Sequence, residues 1–345
     1  MRVAVLGAGS WGTTIASLVS ARTPTTLWAR SEAVVAEIRD RRRNSSYLGD
    51  FPLSDRLRAT SSVAEALGGA ELVVIALPSH GVRAVLGAAA GDVPAGVPVL
   101  SLSKGLEEGT MARISEIVDA CWPGHPVGVL TGPNLSAEVC EGQPTASVVA
   151  FADESLAGEI RDLFVTETLR VYTNPDVIGC EIAGAVKNVL AIASGMSVGL
   201  GFGDNTRATL ITRSLAELTR LGVALGGEPA TFAGLAGLGD LVATCTSLKS
   251  RNFAVGVALG QGLSLEQVIG RTRMVAEGVK TCRPVVDLAG QLDVEVPVAE
   301  QVVAVCYGNR PPSEAIPLLM RRAPRSEVEN LPNRSDRVRD GGRRA

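Results

Sequence analysis

The chain has 345 residues, 46% of them apolar, and a formal net charge of -3, which is enough material for two domains with a core in each. Its six cysteines stand apart without a CxxC pair, and its only histidines are His80 and His125, so neither a disulfide framework, a zinc site nor a His-rich metal centre is expected. No run of about 18 uncharged apolar residues occurs, and MRVAVLGAG reads as a strand entering a turn rather than a signal peptide; membrane insertion and secretion are not implied, and a reducing cytoplasm is the expected setting.

From residue 2 to about 173, short β-branched runs alternate with Gly/Ser/Pro turns and helical stretches. That alternation predicts βαβα units on a parallel sheet, a Rossmann-like α/β dinucleotide-binding domain over 1–175. Strands are predicted at 2–6, 25–29, 71–77, 97–102, 127–131, 146–151 and 169–172, several apolar throughout, as strands covered on both faces must be.

The first strand runs into VAVLGAGSWGTTIASLVS, where Gly7, Gly9 and Gly12 have GxGxxG spacing at the opening of a helix. Gly7 permits the tight turn, Gly9 lets backbone approach a pyrophosphate, and Gly12 lets the helix pack closely on the strand. The helix-start N–H groups near Ser10 and Trp11 then face the phosphates. The second strand ends in Arg30 where an acidic residue would hold the ribose hydroxyls of NAD. A guanidinium suits a 2'-phosphate, so NADP(H) is favoured, with NAD(H) also admitted. Arg41, Arg42 and Arg43 either assist or form a solvated charged face. Lys104 follows the fourth predicted strand directly and so points at the crevice beyond the strand ends, unless it is a plain surface lysine.

After Asn174-Pro175 strand-like runs almost vanish, predicting an all-α domain over 176–320 with helices at 177–197, 206–221, 228–234, 251–260, 264–270, 277–289 and 297–306. In its first helix, EIAGAVKNVLAIASG, Lys187 emerges between Ala183, Gly184, Leu190 and Ala191 in a segment apolar around nearly its whole circumference. A cation so enclosed either gives up its proton more easily or finds an anion, for which Asp240 is a candidate, and both outcomes favour chemistry; the alternatives are a lysine snorkelling its charge to solvent and a structural ion pair. Further along, AGLAGLGDLVATCTS sets Asp240 and Thr244 one helical turn apart; by itself Asp240 reads as a helix cap. Ser250, Arg251 and Asn252 stand where a polar loop becomes a helix, which suits either a phosphate held by free N–H groups and a guanidinium or ordinary capping. After Met320 the chain carries eight Arg against four acidic residues with no interleaved aromatics, so residues 321–345 are expected to be a disordered solubilising tail or linker, with no nucleic-acid partner.

The ordered motifs GAGSWGT, RNSSYLGDFPLSDRLRAT, LPSH, SKG, TGPN, EIAGAVKNVLAIASG, GFGDNTRATLITR, GLGDLVATCTS, SRNFAVG and VAEGVKT together resemble the NAD(P)-dependent glycerol-3-phosphate dehydrogenases over residues 1 to about 320. The resemblance implies a two-domain architecture of the 6-phosphogluconate-dehydrogenase kind. It also implies hydride transfer between dihydroxyacetone phosphate and sn-glycerol 3-phosphate, supplying glycerophospholipid synthesis, with no metal. By the same motifs Lys187 is the general acid/base, Lys104, Asn188, Asp240 and Thr244 surround the reacting carbonyl, and Arg251 and Asn252, with Ser250, hold the substrate phosphate. Gly132 and Asn134 line the substrate side, while Ser10, Trp11, Arg30, Tyr47, Ser136, Val275 and Glu277, with Lys104 and Arg251, match cofactor-side positions. The partner is a small phosphorylated substrate, and a homodimer is the expected assembly. The alternatives are a ketopantoate-type or other hydroxy-acid reductase and a non-catalytic NAD(P)H-binding redox sensor.

Overall fold

The structure, a computed structural model, describes residues 1–270 and 276–321. Eight strands form one sheet in the order β3-β2-β1-β4-β5-β6-β7-β8, namely β1 (Val3–Leu6), β2 (Thr25–Trp28), β3 (Arg58–Thr60), β4 (Leu72–Ile75), β5 (Val99–Ser101), β6 (Val127–Thr131), β7 (Thr145–Ala150) and β8 (Leu169–Asn174). Helices α1 (Ser10–Ser20), α2 (Glu32–Arg41), α3 (Ser45–Leu48), α4 (Val63–Leu67), α5 (Val82–Ala88), α6 (Ile114–Cys121), α7 (Ser136–Cys140) and α8 (Glu154–Phe164) connect them. β1 and β4 are buried at every position, and separate apolar clusters lie on the two faces of the sheet.

Two features of the sheet correct the sequence expectation. β6 and β7 pair antiparallel, with Val129 opposite Ala150, whereas the other neighbours are parallel. The reason is length: a parallel crossover must carry the chain back along a whole strand, and the five-residue α7 rises only about 7 Å. The three-residue β3 was not expected, because RAT on an exposed edge has no run of apolar residues to mark it.

The remainder is helical: α9 (Val177–Gly199), α10 (Asp204–Ala224), α11 (Pro229–Ala233), a π-helical turn at Leu235–Gly239, α12 (Asp240–Thr246), α13 (Arg251–Gly260), α14 (Leu265–Gly270), α15 (Glu277–Gln291), α16 (Pro297–Tyr307) and α17 (Pro312–Met320). α12 follows a glycine-dense loop and α17 contains Pro317, so neither carried a clean helical signature. α10 starts earlier and ends later than its periodicity suggests. α9 is long and apolar enough to cross a membrane by composition, but 89% of that span is buried inside the protein. α10, α12, α13, α15 and α16 all pack around it.

The closest of these contacts is a glycine seam between α9 and α13. A Cβ on Gly256 would lie 2.1 Å from the Ile192 carbonyl oxygen and 2.9 Å from the Gly195 Cα, and one on Gly199 would lie 2.9 Å from the Gly260 Cα. Only bare backbone fits there, so the start of α13 is brought against the middle of α9 beside Lys187 and Asn188.

A second fixed point is Glu217 on α10, 2% exposed, whose carboxylate accepts from the backbone N–H of Val298 and Ala299 at the start of α16. Burial is the largest influence on this carboxyl and, against those N–H donors, pushes it up to about 8 from an ordinary 4.5. The folded state therefore holds a proton that the unfolded chain has released, and the stability this brings is full below 4.5 and lost as pH rises through about 8. Glu217→Gln keeps an acceptor oxygen without the charge. Thermal melts are expected to show the variant gaining on the parent steadily between pH 5 and 8, by roughly 1–2 °C per kcal/mol in a chain of this size.

Candidate active site

The glycine loop has the geometry its sequence suggests. Gly7 has φ +117°, and a Cβ there would lie 2.5 Å from the Ala76 carbonyl; on Gly12 it would lie 2.1 Å from the Gly7 carbonyl. A Cβ on Gly9 meets nothing within 4 Å, and no side chain caps the start of α1. That open, uncapped helix start fits the pyrophosphate of a dinucleotide. Asn44, which the sequence reading missed, pins this loop by donating to the Ala8 carbonyl at 3.0 Å and to Thr13 Oγ1 at 2.9 Å. Ser10 Oγ donates to the Tyr47 carbonyl at 3.0 Å. Trp11 buries an indole N–H with no partner among the described residues. Arg30 is exposed just past β2. Of the arginine triplet, Arg42 donates to the Leu57 carbonyl and Arg43 pairs with Asp50 at 2.6 Å, so these two serve their own loop.

The centre of the site is one carboxylate between two lysines. Asp240, the first residue of α12, does not cap that helix; it turns inward and is 2% exposed. Its Oδ1 accepts from Lys187 Nζ at 2.5 Å and its Oδ2 from Lys104 Nζ at 2.7 Å. Lys187 Nζ also donates to Thr244 Oγ1 at 2.7 Å, so the one-turn spacing of Asp240 and Thr244 grips a single ammonium. Lys104, just beyond the end of β5, donates in addition to Asn134 Oδ1 at 2.9 Å and the Gly132 carbonyl at 3.2 Å. Gly132 takes φ +119°, which aims that carbonyl inward. Thr131, at the end of β6, was not singled out by sequence although its strand-end position points to the crevice; its Oγ1 lies 3.5 Å from Asp240 Oδ2.

Asn188 continues the network, donating to the Lys104 carbonyl at 3.2 Å and accepting from Asn252 Nδ2 at 2.9 Å. Asn252 Oδ1 accepts from the Gly278 N–H at 2.9 Å, so both amides brace α9, α13 and α15 as well as facing the site. Ser250 caps α13 by accepting from the Phe253 N–H, and the exposed Arg251 reaches across to Ser10 Oγ at 3.1 Å. The helix start is capped, as one of the two readings had it, and its guanidinium faces the glycine loop. Glu277, at the start of α15, accepts from Ser79 Oγ at 2.7 Å across the same junction. Ser79 belongs to LPSH, and its part in joining the halves was not foreseen. Ser136 begins α7, which lies against α1 through the Thr14–Cys140 contact. Val275 lies outside the described residues.

The charges decide what this centre can do. Two cations share one anion, leaving a net positive site that favours an oxygen gathering negative charge. Burial raises the Asp240 carboxyl, but the two ammonium groups outweigh it and hold the carboxyl below its ordinary range. For Lys104 burial dominates, with Lys187 adding to it and Asp240 opposing, and its ammonium is lowered to about 7. Lys187 uses two N–H groups on Asp240 and Thr244; its third has no protein partner among the described residues.

Known proteins resemble this chain along nearly its whole length. The family described as NAD-dependent glycerol-3-phosphate dehydrogenase matches residues 2–157 with its N-terminal model and 176–317 with its C-terminal model. Glycerol-3-phosphate dehydrogenase [NAD(P)+] of Mycobacterium avium (strain 104) is 49% identical over 328 residues, covering 95% of this chain and 96% of that protein. A second such enzyme, from Sphingopyxis alaskensis, is 50% identical over 90% of this chain and 93% of its own. The crystal structure of glycerol-3-phosphate dehydrogenase from Coxiella burnetii superposes with a TM-score of 0.90 at 35% identity, covering 93% of this chain and 99% of that one. On the strength of both matched halves and of relatives sharing about half their residues along nearly the whole length, the chain belongs to the NAD-dependent glycerol-3-phosphate dehydrogenase family.

Proposed function

We propose that this NAD(P)-dependent dehydrogenase interconverts dihydroxyacetone phosphate and sn-glycerol 3-phosphate with Lys187 as the proton donor to the substrate oxygen. The observation that carries the reading is the N–H of Lys187 that has no partner among the described residues, on an ammonium held in place by Asp240 and Thr244. Gly7, Gly9, Ser10, Trp11 and Gly12 would hold a dinucleotide's phosphates, and when bound its reduced nicotinamide supplies the hydride. As the ketone oxygen gains charge, Lys187 delivers a proton to it. Asp240 and Thr244 keep the ammonium aimed, and Gly132 and Asn134 keep Lys104 on the other carboxylate oxygen. In the reverse direction the neutral amine takes the hydroxyl proton. The direct test is loss of reduced-nicotinamide absorbance with dihydroxyacetone phosphate as oxidant; no turnover with that substrate would refute the reading.

Arg251 and the start of α13 hold the substrate phosphate in this scheme, with Ser250 setting the helix start and Asn252 the bracing. A charge-assisted hydrogen bond of this kind is worth about 1.5–3 kcal/mol. Arg251→Ala is therefore expected to lower kcat/KM for dihydroxyacetone phosphate by about 10- to 100-fold, chiefly through KM. Steady-state kinetics check this, and an unchanged kcat/KM removes Arg251 from the clamp.

For the cofactor, Arg30 supports a preference for NADPH over NADH, because an exposed guanidinium past β2 can pair with a 2'-phosphate and offers no acceptor to a ribose hydroxyl. Arg30→Ala is expected to cut kcat/KM with NADPH while leaving that with NADH nearly unchanged. Parallel assays with both nucleotides decide it; equal losses would mean that Arg30 does not read the 2' position.

A further inference from the structure

We propose that Glu181 is a positioning residue that fixes where Lys187 stands against the nucleotide-binding half of the molecule, an inference that rests on Lys187 being the acid of the reaction. α9 carries two charged residues, Glu181 and Lys187, and both are buried, at 8% and 5% exposure. Glu181 lies six residues and about 9 Å earlier along the axis and makes its hydrogen bonds away from the lysines, on the sheet domain. Its Oε1 accepts from the Ser115 N–H at 2.8 Å, and its Oε2 accepts from Ser115 Oγ at 2.5 Å and from Arg113 at 2.9 Å. Ser115 is the second residue of α6 and Arg113 the residue just before that helix, so a carboxylate from the second domain supplies an acceptor and a negative charge to the start of α6. Arg113 is held from its other side by Glu116 at 2.8 Å. Burial pushes the Glu181 carboxyl up, with Arg113 and Ser115 opposing, so the group is costly to keep where it is. Replacing a buried pair of this kind by apolar side chains of like volume is often neutral or stabilising, which leaves a fixed register as what the pair brings.

Register matters because Lys187 and Asp240 both belong to the helical half, whereas the glycine loop belongs to the sheet half. The proton donor and the hydride donor therefore meet one carbonyl from two sides of the molecule, and their separation is set by the contacts that cross between them. Three buried or half-buried crossings end on groups that the reaction itself uses: Lys104 on Asp240, Arg251 on Ser10, and Ser79 on Glu277. Substrate or nucleotide competes for each of those. The Glu181 crossing engages none of them and so persists as ligands come and go. One turn further along, Gly184 brings the backbone of α9 onto the strand ends: a Cβ there would lie 3.3 Å from Thr131 Oγ1 and 3.4 Å from Lys104 Cγ. Glu181, Gly184 and Lys187 follow at three-residue spacing. α9 can then neither slide nor roll without breaking the Glu181 bonds or driving its own backbone into Lys104.

Two variants loosen the contact to different degrees. Glu181→Gln keeps the volume but removes the charge and one acceptor oxygen. Ser115→Ala removes a single side-chain hydrogen bond and keeps the ion pair with Arg113, which makes it the variant to read if the first does not fold. For each, fluorescence titration with NADPH gives the number and affinity of nucleotide sites, and turnover of dihydroxyacetone phosphate is expressed per site, with NADPH and with NADPH deuterated at the transferred hydrogen. The expected result is nearly unchanged nucleotide affinity and a kcat per site lower by about 10- to 100-fold in Glu181→Gln and by less in Ser115→Ala, because misplaced reactants slow the chemical step itself. The deuterium isotope effect is accordingly kept or enlarged. Lys249→Met, which removes the exposed crossing to Glu138 and Glu141, is expected to turn over like the parent. Unchanged kcat per site in both Glu181→Gln and Ser115→Ala overturns the proposal in favour of a purely structural pair. An isotope effect abolished along with the loss overturns it in favour of slowed release, and an equal loss in Lys249→Met overturns it in favour of general loosening between the halves. Failure of the underlying reading looks different: parent enzyme that does not oxidise NADPH with this substrate, or Lys187→Ala turning over at the parent rate.

Discussion

Replacing Lys187 by alanine is expected to lower kcat by about 10²- to 10⁴-fold, the range typical of a lost general acid, with nucleotide affinity nearly unchanged. The two effects separate because the glycine loop around Gly7, Gly9 and Gly12 is built on β1 and α1, while Lys187 lies on α9 and makes no hydrogen bond to that loop. The fold should persist as well. Asp240 still has Lys104 at 2.7 Å, so a buried neutral pair remains where a net positive triad stood. Fluorescence titration with NADPH alongside turnover measurements checks both halves of the expectation. A variant that binds nucleotide and turns over like the parent would leave Lys187 with a purely structural place in α9.

Asp240→Ala is expected to give the largest loss of stability. It strips the shared anion from two ammonium groups, on Lys104 and Lys187, that are nearly shut off from water. Breaking a buried pair by removing one partner typically costs about 3–5 kcal/mol, because the charge left behind is neither solvated nor matched. Here two charges are left, facing each other. The prediction has a built-in control: adding Lys104→Met to Asp240→Ala removes one orphaned cation and is expected to recover part of the loss, a coupling that a double-mutant cycle measures. Strict additivity would mean the two residues do not act on one another. The pH dependence follows from the sign of the shift. Asp240 is held below its ordinary 3.8 in the fold, so its contribution is full above that value and is lost as pH falls through the lower folded one. The gap in melting temperature between parent and Asp240→Ala is therefore expected to be wide at neutral pH and to close in acid. Activity is expected to be lost in Asp240→Asn too, although that variant keeps the volume and part of the hydrogen bonding, because a neutral amide leaves the two ammonium groups unneutralised and grips Lys187 less firmly.

Much of this protein could be read from local sequence. The alternation of apolar runs with turns placed seven of the eight strands, and the glycine spacing placed the tight turn between β1 and α1, because both signals arise within a few residues. Lys187 was legible for the same reason: a cation on a helix apolar all round must be enclosed whatever the rest of the chain does. Its partner was legible only as a candidate. Asp240 at the start of a helix looks more like a cap than an ion-pair partner, and only packing turns it onto lysines 53 and 136 residues away. The glycine seam joining α9 to α13, the reach of Arg251 to Ser10 across 241 residues, and Glu217 holding the start of α16 belong to the same class. Pattern and propensity are properties of neighbouring residues and determine which elements form and which faces they bury. Which distant charges meet depends on how those elements pack, so the existence of a buried cation belonged to the sequence, whereas the carboxylate it shares with Lys104 was decided by tertiary structure.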